Sequence, residues 1–182
     1  MTEKTSNNMK TFGNDIELLI RKACPEDSVF IIDFLNLVGK ESNFLSFGAQ
    51  GFHLNAEEEY EIISDCIKLD LNLMLIAKID HNIVGHLFLQ RSKVERIKHV
   101  GELSLSVLKQ YWGNSIGLRM IYDAIEWAKQ KEIAKLQLQV RCDNERAINL
   151  YKKIGFMEEG IIRRAIKVDN VYFDEYLMGL CL

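Results

Sequence analysis

Apolar residues recur at helical spacing in the first third of the chain and at a period of two after it. Phe30, Ile31, Phe34, Leu35 and Val38 predict a helix that Pro25 opens, Asp27 or Ser28 helps to cap, and Gly39 ends. Residues 41–54 carry aromatics, Gly48 and Gly51 without a period and read as a loop. Asn55 caps a second helix running to Lys68, with Tyr60, Ile63 and Ile67 as its apolar line. The period then changes. Strands are predicted at 71–79 and 83–90 around the turn Asp80-His81-Asn82, and again at 99–108. Residues 116–131 form a helix with Ile116, Met120, Ala124, Ile125 and Ala128 on one side. A strand at 135–141 and a helix at 144–154, ended by Gly155, come next. A hairpin of 156–167 with 171–181 turns at Asp169-Asn170. Residues 16–21 read as a first strand. Residues 1–15 are polar, lack periodicity, and read as a flexible N-terminal tail.

Helical crossovers follow the strands at 99–108 and 135–141, which implies parallel neighbours there, while the hairpins are antiparallel. The expectation is one α/β domain over 16–182: a mixed, mostly antiparallel central sheet flanked by helices.

Composition narrows the setting. The chain has 182 residues, of which 48% are hydrophobic, enough for one substantial core. Net charge is -3 and the only adjacent basic pair is Arg163-Arg164, so the basic stripe that tracks nucleic-acid phosphates is missing. Four cysteines without C-x-x-C and four histidines without H-E-x-x-H argue against a metal site. Widely spaced thiols fit a reducing compartment. There is neither a bilayer-spanning apolar run nor a signal-peptide core, so a cytoplasmic protein without membrane contact is expected.

One joint stands out. In "SVLKQYWGNSIG" a strand passes into a helix through Gly113, Asn114, Ser115 and Gly117. A helix start presents unpaired N–H groups and the positive end of its dipole, and small residues let an anion come close. A plain turn explains the same residues. No G-K-[ST] follows, so a P-loop lacks its lysine, and G-x-G-x-x-G is missing as well.

"QYWGNSIG" resembles the Q/R-x-x-G-x-G/A signature of the GNAT N-acetyltransferase superfamily. "VRCDNERAINLYKKIGF" looks like its second signature, and "EEGIIRRAIKVDNVYFDEYLMGL" resembles the C-terminal hairpin of the branch acting on ribosomal-protein N-termini, polyamines and related amines. The resemblance runs from residue 16 onward. Ser115 departs from the usual Gly or Ala; it is small enough for backbone approach but less at ease at positive φ.

The resemblance implies an acetyl-CoA cleft between two splayed parallel strands, here 99–108 and 135–141. Backbone groups of Leu105, Ser106 and Val107 would pair with the pantetheine arm as an added strand does. The pyrophosphate would rest on N–H groups of Gln110, Gly113, Asn114, Ser115, Ile116 and Gly117. Asn144 is either an N-cap or a cofactor contact, and Ala147 leaves room for the cofactor beside its helix. Tyr151, otherwise a half-buried core tyrosine, matches the family's general acid toward the CoA sulfur. Glu102, otherwise an exposed strand glutamate, shares one strand face with Ser104 and Ser106 and is the candidate base. Glu41, Phe44, Tyr172 and Asp174 are candidates for the acceptor, a small-molecule amine or a protein N-terminus. The reaction implied is direct acetyl transfer to a primary amine in a ternary complex. The alternative is a non-catalytic acyl-CoA sensor. Exposed terminal strands in such folds often pair, which makes a homodimer a further expectation.

Overall fold

The run of β-forming residues from Leu73 to Val107 builds the centre of the fold. The computed structural model describes residues 10–12 and 16–182. In chain order the elements are β1 (Lys10–Phe12), β2 (Ile16–Lys22), α1 (Ser28–Glu41), α2 (Ala56–Leu69), β3 (Leu73–Ile79), β4 (Asn82–Arg91), β5 (Val100–Val107), α3 (Ile116–Gln130), β6 (Lys135–Arg141), α4 (Glu145–Ile154), β7 (Met157–Val168) and β8 (Val171–Cys181). Among the described residues the strands form one sheet in the order β1-β2-β3-β4-β5-β6-β8-β7. Only β5 and β6 are parallel; the remaining pairs are antiparallel. The mixed, mostly antiparallel sheet expected from the periodicity is observed, but the second expected parallel neighbour is not: the crossover after β6 leads to β7, and antiparallel β8 lies between them. Lys10–Phe12, expected within the tail, pairs with residues 16–18. The remainder of that tail lies outside the described residues.

Alternation along β4 separates the two faces of the sheet. A side chain at Gly85 would meet Met120 and Ile116 of α3. The next residue, His86, lies 6.5 Å from Phe34 of α1, ring to ring. Helix α3 therefore covers one face and α1 the other. Helix α4 packs beside α3, with Leu150 close to Gly117. Ile31, Phe34, Leu35 and Val38 of α1 are buried, as are Ile116, Met120, Ala124, Ile125 and Ala128 of α3.

The two N-terminal helices depart from expectation in part. Gly39 does not end α1, which runs to Glu41; Gly39 sits inside it, where an added side chain would touch Phe47 and the Gly48 carbonyl at 3.0 Å. The crossing of loop and helix, not a stop signal, accounts for that glycine. Phe30 is exposed. In α2, Tyr60 and Ile67 are exposed, and the buried residues are Glu59, Ile63 and Cys66. The helix is rolled so that a carboxylate faces inward. Asn55 caps it as expected, accepting hydrogen bonds from the N–H groups of Glu57 and Glu58 at 2.9 and 3.0 Å.

The start of α1 is tied to β2. Arg21 donates to both carboxylate oxygens of Asp27 at 2.6 and 2.8 Å, and the Cys24 N–H donates to Asp27 at 2.9 Å. Burial alone pushes the Asp27 pKa up; these hydrogen bonds outweigh it and hold the carboxyl at about 2. A pKa below the unfolded value gives stability above about pH 4 that is lost as pH falls through about 2. Asp27→Asn is expected to cost about 2 kcal/mol near neutral pH, the scale of hydrogen bonds to a charged group. In urea melts the gap between variant and wild type should close toward pH 2; a gap of equal size at both pH values would contradict this account.

Candidate active site

A sheet ladder normally runs the length of its strands, and here one stops early. Strands β5 and β6 pair only at Val100↔Lys135, Gly101↔Leu136 and Glu102↔Gln137. Beyond Glu102 they part, although β5 stays paired with β4 to Val107 and β6 with β8 to Arg141. The Leu108 N–H donates to the Val84 carbonyl at 3.0 Å, which makes 84/108 a hydrogen-bonded pair. Alternation then makes 86/106 another, and turns the peptide groups of Leu105 and Val107 toward the gap. Ser106 is a correction to the sequence reading: its peptide groups face His86 of β4, and only its side chain reaches the cleft. One orphan is already taken, since the Trp112 indole donates to the Val107 carbonyl at 2.7 Å.

Beside the gap, α3 begins. Gly113 has φ +85° and Ser115 has φ +59°, so the chain turns twice through the left-handed region. Ser115 occupies the N-cap position without capping. Among the described residues the first N–H groups of α3, at Ile116 and Gly117, have no side-chain cap and carry the positive end of the helix. Gly117 allows α3 to lie against β5: an added side chain there would meet Leu105 at 3.0 Å. Arg146 from α4 stacks over the Trp112 ring at 4.8 Å. An added side chain at Gly113 would lie 3.7 Å from that guanidinium. Gln110 and Asn114 are exposed and lie outside the cleft lining; the Asn114 amide donates to the Tyr111 carbonyl.

Helix α4 forms the opposite wall. Asn144 is its N-cap, accepting from the Ala147 N–H at 3.2 Å. Gly155, at φ +113°, ends it. Tyr151 is buried against Phe156, 5.7 Å ring to ring, and faces the cleft. Burial pushes its pKa up to about 12.

The gap opens into a cleft of about 1170 Å3 that runs between α3 and α4 on one side of the sheet and under α1 and α2 on the other. Glu102, Leu105, Ser106, Val107, Gly113, Ser115, Ile116, Gly117, Asn144, Ala147 and Tyr151 all line it, as does Phe44. The other expected acceptor residues do not. Glu41 accepts from the Lys109 N–H at 3.0 Å, Asp174 accepts from Arg163 and from the Arg164 N–H, and Tyr172 packs under Arg164 and Lys167. Each has a partner elsewhere on the surface.

Four lining residues were not legible in the sequence. Glu59 is buried without a hydrogen-bond or ion partner among the described residues, and burial raises its pKa to about 7. His86 is buried with Nε2 unpartnered, and burial lowers its pKa to about 4, so its ring is neutral. Glu175 is raised by burial, with Arg141 opposing. Arg146 is the fourth. Only the placement of Arg146 two residues after Asn144 could have signalled it. Among the described residues no group of three or more His, Cys, Asp or Glu is placed to hold a metal ion, and no helix is long and apolar enough to cross a membrane.

An open strand edge, an uncapped helix start and a buried tyrosine share one cleft, and comparison with known proteins gives the family. The model of the Acetyltransferase (GNAT) family matches residues 42–156, so the chain belongs to that family. L-amino acid N-acetyltransferase AaaT of Escherichia coli K12 is 30% identical over 106 residues, 58% of this chain and 65% of that protein. The chain thus spans less than two thirds of that relative. An acetyltransferase of the GNAT family from Streptococcus pneumoniae shares 34% identity and a TM-score of 0.88, with 91% of this chain and 100% of that chain covered. YncA of Salmonella typhimurium, solved with its cofactor acetyl-CoA, has the same fold at 15% identity, with a TM-score of 0.80 over 91% of this chain and 94% of that chain.

Positive φ at a serine has a cost that glycine avoids, about 1 kcal/mol for the left-handed region. Ser115→Gly is expected to stabilise the fold by about 0.5–1 kcal/mol, less whatever the unfolded chain gains in freedom. Thermal melts measure it; a lower midpoint would show that the serine hydroxyl does more than tolerate the turn.

Proposed function

We propose that the chain is an acetyl-CoA-dependent N-acetyltransferase that moves an acetyl group to a primary amine by direct attack in a ternary complex. The observation that carries this reading is the parting of β5 and β6 beside the uncapped start of α3, with Tyr151 facing the same cleft. The acetyl-CoA bound in the YncA structure supports it, as does family membership. No observation favours the non-catalytic sensor.

The residues fit the cofactor end to end. Leu105 offers its peptide groups to an amide-rich arm along the β5 edge. Gly113, Ser115, Ile116 and Gly117 offer N–H groups to a diphosphate, and Arg146, held by Trp112, adds a full positive charge. Ala147 keeps the α4 wall low, and among the described residues Asn144 uses only its amide oxygen, at the Ala147 N–H. Acetyl-CoA brings an activated thioester to this track. Glu102, where the strands part, removes the ammonium proton directly or through water; the freed amine forms the C–N bond, and its second proton passes to solvent as the amide forms. The Val107 N–H stabilises negative charge on the carbonyl oxygen. As the C–S bond breaks, the Tyr151 hydroxyl donates to the sulfur. Its raised pKa keeps the phenol protonated at working pH, so the donor is always present; a hydrogen bond to the developing thiolate, short of full transfer, is what it provides. The acceptor is an amine on a small molecule or a protein N-terminus.

Thiol release on mixing the protein with acetyl-CoA and a panel of amines tests the reading; release with none of them would reject it. Tyr151→Phe keeps the ring and its packing, and should lower kcat at least about tenfold, the low end for a general acid, with little change in KM for acetyl-CoA. Equal turnover would remove Tyr151 from the chemistry. Arg146→Ala should weaken CoA binding by about five- to tenfold, with a shallower dependence on salt, as expected for one charge on a phosphate. A calorimetric titration with unchanged affinity would show that the α3 backbone alone holds the diphosphate.

A further inference from the structure

Under α1 and α2 the cleft carries charge of one sign. Glu59 and Asp65 line it from α2, Glu102 from β5 and Glu175 from β8. The nearby cation is occupied: Arg141 donates to both oxygens of Asp143 and to the Asn43 carbonyl, and lies 3.6 Å over the Phe173 ring. The basic residues that do line the cleft, Arg146 and Lys153, both come from α4, and Arg146 is held over Trp112.

Glu59 is the unusual member. It is 3% exposed, and no hydrogen bond or ion pair reaches its carboxylate among the described residues. An acid in the first turn of α2 suits the helix dipole, but that explains neither its burial nor its lack of a partner, and Glu58 already serves the Asn55 cap. From the sheet below, His86, 8% exposed, presents a second unpartnered polar atom, Nε2, on a ring that is neutral and so does not repel a cation. The same cleft is lined by apolar rings, among them Phe47 and Phe52 packed edge to face at 4.8 Å. A carboxylate on the acceptor would find no basic partner here and several acids. A second ammonium would find a desolvated carboxylate, where an opposite charge gains most.

Resting on the acetyltransferase reading above, we propose that Glu59 holds a second, non-reacting cationic group of the acceptor, so that the substrate class is diamines with an apolar spacer and no carboxylate. One amine stays at Glu59 while the other meets the thioester near Glu102.

Initial rates of thiol release with saturating acetyl-CoA decide this, using α,ω-diaminoalkanes, n-alkylamines of equal chain length, and free L-amino acids. The diamine should exceed the monoamine at least about tenfold in kcat/KM, mainly through KM, and free amino acids should fall below both. In Glu59→Gln the ratio of diamine to monoamine should drop to about one. Equal rates for diamine and monoamine in wild type, faster turnover of amino acids, or a ratio untouched by Glu59→Gln would each overturn the proposal while leaving an active acetyltransferase. The wild-type comparison decides alone if the variant does not fold. Release with no amine at all would reject the acetyltransferase reading and this inference with it.

Discussion

Everything in this structure follows from a hydrogen-bond ladder that stops after three pairs. Buried peptide groups need partners, and a sheet normally supplies them along its whole length. Here β5 and β6 diverge past Glu102 and Gln137 while each remains anchored on its far side, β5 by β4 and β6 by β8. Neither strand can swing to close the gap without breaking the ladder it already has. The gap is therefore a permanent slot with peptide groups on its edge. The Trp112 indole fills one position in that slot, at the Val107 carbonyl, and so shows what a ligand must do at the others.

The slot also divides the electrostatics. On the α3 and α4 side, an uncapped helix start and Arg146 favour negative charge. On the α1 and α2 side, carboxylates and a neutral His86 favour positive charge. Tyr151 lies buried on the α4 wall with its phenol held protonated. The cleft thus favours negative charge on one face of the sheet and positive charge on the other, and its two halves join where the ladder stops. The polarity of the site is a property of how two helix pairs are laid on the two faces.

Much of this was legible in residues that act locally. The positive φ of Asp169 and Asn170, +48° and +65°, belongs to the turn their identities announce. Asn144 caps α4 and Gly155 ends it because both jobs need only a neighbouring peptide group. The strongly periodic α3 buries the face that its spacing assigned. Where a residue has two competing roles, local reading failed. Gly39 looks like a helix stop but serves a close crossing with the Phe47 loop. Glu41 and Asp174 look like acceptor carboxylates but are already engaged by Lys109 and by Arg163 with Arg164.

Taken alone, the amino-acid sequence determined the order of elements from residue 16 onward, the ends of α4, and the family signature on α3 and α4, because periodicity, caps and glycine turns depend on residues within a few positions of each other. It could not determine the roll of α2, which turns Glu59 inward and Tyr60 outward, since each face of that helix carries apolar residues. Nor could it show that β5 offers Leu105 and Val107 but not Ser106, because that depends on which peptides β4 has already taken. Burial and pairing across the sheet are decided by contacts between distant segments, and those exist only once the chain is folded.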